Sequence, residues 1–367
     1  MNAMIKTLAV SLMILGAAWT RAESYDNIRI LEPIKVEDAA KPVAIAASSR
    51  WLYLVDEKKS QVLLYDAAGK LLKAAGRSGS DKAGLSYPRG IALGSDGKVF
   101  IADTGNSRVQ ILSPDGDFVS SFGRRGSDAG QLKNPESVAI GQDGRVYVAD
   151  TGNNRIQVFT EQGILLFQFG SSGNQAGQFK SPTKVTVDPS DNVYVLDSGN
   201  SRIQKFDASA KFVKEFSLLG NDFAVDAYGF LYVVDGKAGK VIEQNAEGFI
   251  MGKFGSSGSG PGQLKKAEGV AVAPDGTLLV VDTGNQRIHR VELSNKAKTA
   301  QLPPNLDTKI LASGPSAEWT LAAEALAVEG SKVYGWVPKD EQFVVVDEAG
   351  KEKSRIGTKG ATGPSST

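Results

Sequence analysis

The 367-residue sequence has no cysteine and a single histidine, His289. Without cysteine there is no disulfide framework, no thiolate metal site and no sulfur nucleophile. With one histidine, a catalytic zinc site, which takes about three protein ligands and usually several imidazoles, is effectively excluded. A Ser–His–Asp triad could use only His289, and no G-x-S-x-G elbow stands in a strand-to-helix context. Charge of one sign is also lacking. Lys and Arg number 42 against 41 Asp and Glu, a formal net charge of +1. Nothing here supplies a long-range pull toward nucleic acid.

Long apolar runs are missing too, apart from one near the start. Leu8 to Trp19 (LAVSLMILGAAW) follows Lys6 and precedes Thr20-Arg21-Ala22. The run is too short to span ~30 Å of hydrocarbon comfortably, and it has the layout of a secretory signal. Residues 1–22 are expected to be a signal peptide cleaved after Ala22. No cysteine follows the run to carry a lipid anchor. The mature chain is therefore expected to be soluble, in the periplasm or secreted. Its net charge falls to −1, because Lys6 and Arg21 leave with the signal.

What the chain has in excess is glycine, 41 residues, above the ordinary ~7% share. With no collagen period, these glycines mark many turns between short elements. The chain also repeats itself. VFIADTGNSRVQIL from Val99, VYVADTGNNRIQVF from Val146, VYVLDSGNSRIQKF from Val193 and LLVVDTGNQRIHRV from Leu278 are near copies. LYLVDEKKSQVLLY from Leu52 and LYVVDGKAGKVIEQ from Leu231 are weaker ones, and VYGWVPKDEQFVVV from Val333 is a worn seventh. The aspartates Asp56, Asp103, Asp150, Asp197, Asp235 and Asp282 are spaced by 47, 47, 47, 38 and 47 residues. A period of ~40–50 residues suggests a propeller blade or a solenoid turn.

The content of a unit separates the two. Ser137 to Ile140 is a short apolar strand, and Gln142-Asp143-Gly144 is a hairpin turn. Val146 to Asp150 is rich in β-branched and aromatic residues. Arg155 to Phe159 alternates at period two, and Ile164 to Phe169 supplies a fourth strand. Four antiparallel strands per unit make a blade, and no unit carries a helical period. A Gly-rich segment joins successive units: GRRGSDAGQL from Gly123, GSSGNQAGQF from Gly170 and GSSGSGPGQL from Gly255. Its glycines should adopt positive φ, and its final Leu or Phe should tuck between blades.

The pattern [VLF]-[YFL]-[VI]-[AVL]-D-[TS]-G-N-x-R-[IV]-Q, preceded by P-x-x-V-A-[VI]-x-x-D-G, resembles the NHL repeat. The resemblance covers residues ~41–292 clearly and implies a closed β-propeller, commonly six-bladed. It says little about activity, since the family includes scaffolds, ligand sensors, RNA binders and a few metal-dependent enzymes. This chain departs from the simplest picture. It offers seven candidate units, lacks the Gly-rich segment between the Asp197 and Asp235 units, and inserts Asn295 to Pro315 before the seventh.

The recurring pairs Asp103/Arg108, Asp150/Arg155, Asp197/Arg202 and Asp282/Arg287 are expected to be structural. The aspartate should bind local backbone N–H groups and the arginine should fork back onto it. His289 occupies a position that is Gln110, Gln157 and Gln204 in the siblings, and is expected on the strand surface. The residues heading the inner strands should face the axis. These candidate binding residues are Arg89, Glu136, Thr183, Lys184, Asn221, Glu268 and Glu324. Glu136, Glu268, Glu324, Asn221 and Asp222 are oxygen ligands of the type calcium accepts. The basic residues of the linkers, among them Lys133, Lys180, Lys265 and Lys266, should lie on one face.

These readings combine into an all-β closed propeller of four-stranded blades, with seven blades expected and six as the alternative. Residues 23–40 form an N-terminal segment, whose stretch Asn27 to Pro33 would add an outer closing strand. Residues 41–357 form the propeller, and 358–367 a disordered tail. The expected function is an exported, non-catalytic binding scaffold with no cofactor, presenting a propeller face to a protein, peptide or glycan. The alternative is a calcium-dependent hydrolase or lactonase with an axial metal.

Overall fold

The second strand of each repeat is an unbroken apolar run because both of its faces are covered. Val146–Asp150 is buried at all five positions, whereas the fourth strand, Leu165–Phe169, alternates half-buried and exposed. That contrast is what a radial blade demands: its middle strands lie between neighbouring blades and its last strand forms the rim. In this computed structural model, residues 28–216 and 220–293 are described in full. Four further strands, Leu326–Glu329, Lys332–Val337, Gln342–Val346 and Glu352–Gly357, are described as backbone.

Residues 28–293 form six four-stranded antiparallel sheets. Their inner strands are Pro42–Ala47, Gly90–Leu93, Ser137–Ile140, Pro182–Val187, Asp222–Val225 and Gly269–Val272, which head blades I to VI. Blades I to V use four consecutive strands each. Blade VI takes its outer strand from the N-terminus, where Ile28–Lys35 pairs antiparallel with Arg287–Leu293. The expected closing strand is therefore present.

The chain divides into two compact units, residues 1–294 and 295–367. The expectation of seven blades is not met. The inner strands of blades VI and I meet directly, so that a Cβ on Gly269 would stand 2.6 Å from the Val43 carbonyl oxygen. The Thr283 hydroxyl also donates to the Pro42 carbonyl at 2.7 Å. With that joint made, six blades close the ring. The worn seventh repeat forms a four-stranded antiparallel sheet of its own in the second unit.

Among the described residues of the first unit there is no single central core, and the buried apolar side chains fall into six clusters, each shared by two neighbouring blades. The closing cluster joins Leu52, Leu54 and Tyr65 of blade I to Leu279, Val281 and Ile288 of blade VI, with Ile34 and Val36 from the N-terminal segment. The linker side chains Leu85, Leu132, Phe179 and Leu264 are buried in such clusters, as expected. At Gly170, φ is +86° and a Cβ would stand 2.2 Å from the Phe179 ring, so glycine is required for this tuck. Between the third and fourth strands of blades I to V the register slips once, for example between Val158 and Phe159. Such bulges twist the rim strands and make them poorer templates for edge pairing.

Candidate functional site

The four Asp–Arg pairs are buried clamps. Arg108, Arg155, Arg202 and Arg287 donate from Nε to Asp103, Asp150, Asp197 and Asp282 at 2.8–2.9 Å, and each carboxylate has no exposed side-chain surface. The other oxygen of Asp150 accepts the Lys133 amide at 2.7 Å. Arg155 Nη2 donates to the Asp128 and Gln131 carbonyls, at 2.8 and 3.0 Å. Asn153 reaches the Gly126 carbonyl at 2.9 Å. The clamp thus does more than close a turn inside one blade. It fastens the Gly-rich linker arriving from the blade before. Blades I and V carry Gln61 and Lys240 in place of the arginine, and neither is preceded by that linker.

His289 is not on the surface. Its side chain is 4% exposed, with Nε2 3.3 Å from Asp282 Oδ2 and 3.1 Å from the Gln263 carbonyl oxygen. In blade III, Gln157 Nε2 donates to the equivalent acceptors, Asp150 Oδ2 at 3.0 Å and the Gln131 carbonyl at 2.6 Å. The imidazole takes over the work of an amide. Burial acts to raise the Asp282 carboxyl, but donors from His289, the Lys265 amide, Asn285 and Arg287 together hold it below the usual carboxylate range.

The candidate binding residues do converge, with one exception. Arg89, Glu136, Thr183, Lys184, Asn221 and Glu268 line one cavity of about 400 Å³ at the axis, together with Asp222, Lys237 and Lys266. Glu324 lies outside the described residues. Charges of opposite sign interleave around the mouth. Lys41 Nζ is 2.6 Å from Glu57 and 4.0 Å from Glu268. Arg89 stands 3.6 Å from both Glu57 and Glu136, and Lys184 is 2.9 Å from Asp222. Burial pushes the Glu136 carboxyl above its ordinary value, against the pull of Arg89 and with a further push from Glu57. Glu268 is likewise raised by burial, with Lys41 opposing.

Glu57 and Lys237 are members of this ring that the sequence pattern did not single out, and Glu57 is the more telling. It occupies the position of Thr104, Thr151 and Thr283, whose hydroxyls donate to the Pro135, Pro182 and Pro42 carbonyls at 2.7 Å. A departure from the repeat at an axis-facing position was the available signal. Below the mouth, the inner strands present Ala46, Ala92, Ala139, Thr186, Ala224 and Ala271 to a second cavity of about 260 Å³, and Lys184 borders both cavities. Asp222 also accepts the Val270 amide at 2.9 Å, which joins blades V and VI.

Calcium needs about six to eight oxygens at 2.3–2.6 Å. Lys41 and Arg89 stand between the carboxylates, and the donor set does not fit such a centre. Among the described residues, no three His, Cys, Asp or Glu side chains are placed to hold a metal ion. No described helix is long and apolar enough to cross a membrane.

Closed four-stranded blades with a clamped Asp-[TS]-Gly-Asn turn define a six-bladed β-propeller. The NHL repeat model matches residues 85–112, 132–159, 179–206 and 264–291, the four units that carry both the clamp and the Gly-rich linker. The chain is a β-propeller that carries four NHL repeats. No curated protein sequence matches it. Solved structures share the fold. A gluconolactonase from Xanthomonas campestris is 15% identical, over 74% of this chain and 96% of that one, with a TM-score of 0.55. Virginiamycin B lyase from Staphylococcus aureus is 15% identical over 72% and 99%, with a TM-score of 0.52. An auxiliary nutrient binding protein from Bacteroides thetaiotaomicron is 14% identical over 69% of each chain, with a TM-score of 0.52. At these identities the likeness is one of fold alone.

Proposed function

We propose that this chain is an exported, non-catalytic binding protein that holds a protein, peptide or glycan partner over the mouth of its central channel. The observation that carries this reading is the composition of the mouth. Six blades bring acids and bases to one cavity, where they pair with one another rather than converge on a nucleophile, a general base or a metal. Such a surface offers directed hydrogen bonds of both signs, which set specificity more than raw affinity. The signal-like residues 1–22 support export.

The test is ligand-induced stabilisation of the mature chain, measured against acidic and neutral glycans and acidic peptides. The same measurement is made on an Arg89→Ala/Glu136→Gln double variant. A rise in Tm that appears in the wild type and vanishes in the double variant supports the reading. A rise that survives in the double variant places binding elsewhere and overturns it.

A further inference from the structure

Blade V departs from its siblings at the end of the ring opposite the mouth. Its inner strand runs from Asp222 at the mouth to a hairpin turn, Asp226 to Phe230, and its third strand leads into a second turn, Asn245 to Phe249. The residue before the glycine of the first turn is Asp96, Asp143 and Asp275 in blades II, III and VI, and Tyr228 here. The residue that ends the second turn is Lys70, Asp117, Ile164 and Lys211 in blades I to IV, and Phe249 here. Tyr228 is 58% exposed and Phe249 69%. A Cβ on Gly229 would stand 3.5 Å from the Ala246 side chain, so the two turns abut.

The outer strand adds Ile250 and Met251, each about half exposed. An apolar residue at the Met251 position recurs around the ring, and Leu72, Val119, Leu166 and Val213 are as exposed. At the Ile250 position, Leu71, Phe118, Leu165 and Phe212 are better covered. Tyr228, Phe249 and Ile250 are thus peculiar to blade V. Their turns are firmly made. Asp226 Oδ1 accepts the Tyr228 and Phe230 amides at 2.9 Å, and Asn245 Oδ1 accepts those of Gly248 and Phe249 at 3.0 and 2.9 Å. The surrounding charge is mostly acidic. In the described turns of blades IV to VI at this end, Asp191, Asp207, Glu247 and Asp275 reach solvent, against Lys211 among the bases. Lys214 turns its ammonium to the Ala246 carbonyl, and Lys253 lies farther along the outer strand.

We infer that this corner of blade V docks a short basic polypeptide segment that carries apolar side chains. Aromatic and Met side chains are enriched in interface cores, and a contiguous exposed apolar patch rimmed by polar groups marks a contact site. Two exposed rings and two aliphatic chains present on the order of 400 Å². A stable dimer of globular copies needs about 800 Å² on each partner, and a twofold contact here would also set acidic turn against acidic turn. An anionic lipid surface meets the same repulsion. A segment with lysine or arginine between its apolar residues gains from the patch and from the acids around it. The surface lies away from the mouth and does not rest on the reading of the mouth as a binding site.

Fluorescence anisotropy of labelled heptapeptides, titrated with the mature protein, tests the assignment. The probes alternate Lys with Leu, Glu with Leu, and Lys with Ser. The expected result is saturable binding of the Lys/Leu peptide that weakens with salt, binding of the Glu/Leu peptide weaker by about tenfold or more, and none of the Lys/Ser peptide. The variant is Tyr228→Asp/Phe249→Lys, which takes residues that sibling turns carry and leaves the net charge unchanged. It should weaken Lys/Leu binding by about tenfold or more at an unchanged Tm. Phe249→Lys alone repeats the test should the double variant unfold. Arg89→Ala/Glu136→Gln should leave Lys/Leu binding as it is, which separates this surface from the mouth. Absence of saturable Lys/Leu binding, binding unaltered by the blade V variants, or equal binding of the Glu/Leu peptide overturns the proposal. A wild-type dimer in sedimentation equilibrium that the blade V variants dissolve assigns the patch to a second copy and overturns it. Capture of the wild type, but not of the variants, by phosphatidylglycerol vesicles assigns it to a membrane and overturns it too.

Discussion

Arg155 donates from Nε to Asp150 Oδ2 at 2.8 Å, and this contact between two buried residues fixes a segment that belongs to neither of their strands. Nη2 of the same guanidinium holds two carbonyls of the linker from blade II, and Nη1 donates to the Gln168 side chain at 3.0 Å. Arg155→Ala would therefore leave a buried carboxylate without its cation and a linker without its clasp. Losing one partner of a buried pair costs about 3–5 kcal/mol. Chemical denaturation should show a loss of that order, with ligand binding retained at temperatures where the fold persists. Unchanged stability with lost binding would make the pair part of the site instead.

His289 is predicted to be replaceable by the residue its siblings use. His289→Gln should keep stability within about 1 kcal/mol, since the amide can reach the same two acceptors. His289→Leu should cost about 1–3 kcal/mol by stranding buried acceptors. Thermal unfolding of the two variants compares them directly.

Ring closure depends on the N-terminal strand. A chain beginning at Val36 would expose the edge of Arg287–Leu293 and remove Ile34 from the closing cluster. Open strand edges template association. The truncated protein should unfold at lower temperature and elute as oligomers on size exclusion, where the full mature chain does not.

One pH dependence has its source in blade V. Glu243 is buried, its Oε1 accepts from the Tyr232 hydroxyl at 2.9 Å, and burial pushes its carboxyl up to about 7. The folded state keeps this proton to a higher pH than the unfolded chain does. Its stabilising contribution is thus fully present below the ordinary glutamate range and is lost as pH rises toward about 7. Glu243→Gln should flatten the fall in Tm between acidic and mildly alkaline buffer. An identical pH profile in wild type and variant would contradict the assignment.

Much of this architecture is legible in the sequence because each blade repeats one local solution. The apolar run Val146–Asp150, the DTGN turn and the alternation of the outer strand each have a short-range cause. The gathering of Arg89, Glu136, Thr183, Lys184, Asn221 and Glu268 was legible as well, because equivalent positions of a ring must face its axis. Blade number was not. Val333 onward satisfies a strand pattern, but the count is decided by where Gly269 meets Val43, a contact between residues more than two hundred positions apart. His289 misled because a polar residue at period two ordinarily faces water. Here that position turns inward to satisfy linker carbonyls, and Gln110, Gln157 and Gln204 are buried too. Glu57 escaped notice because its unit is a weak copy of the repeat.

The central claim is that the mouth binds a partner without a metal-dependent reaction. Titration of Ca²⁺ into the mature protein by calorimetry, alongside Glu136→Gln and Glu268→Gln, tests it most directly. The account predicts no saturable micromolar binding in any of the three proteins, since Lys41 and Arg89 occupy the space between the carboxylates. Micromolar calcium binding in the wild type, lost in either variant and accompanied by calcium-dependent lactone hydrolysis, would contradict it.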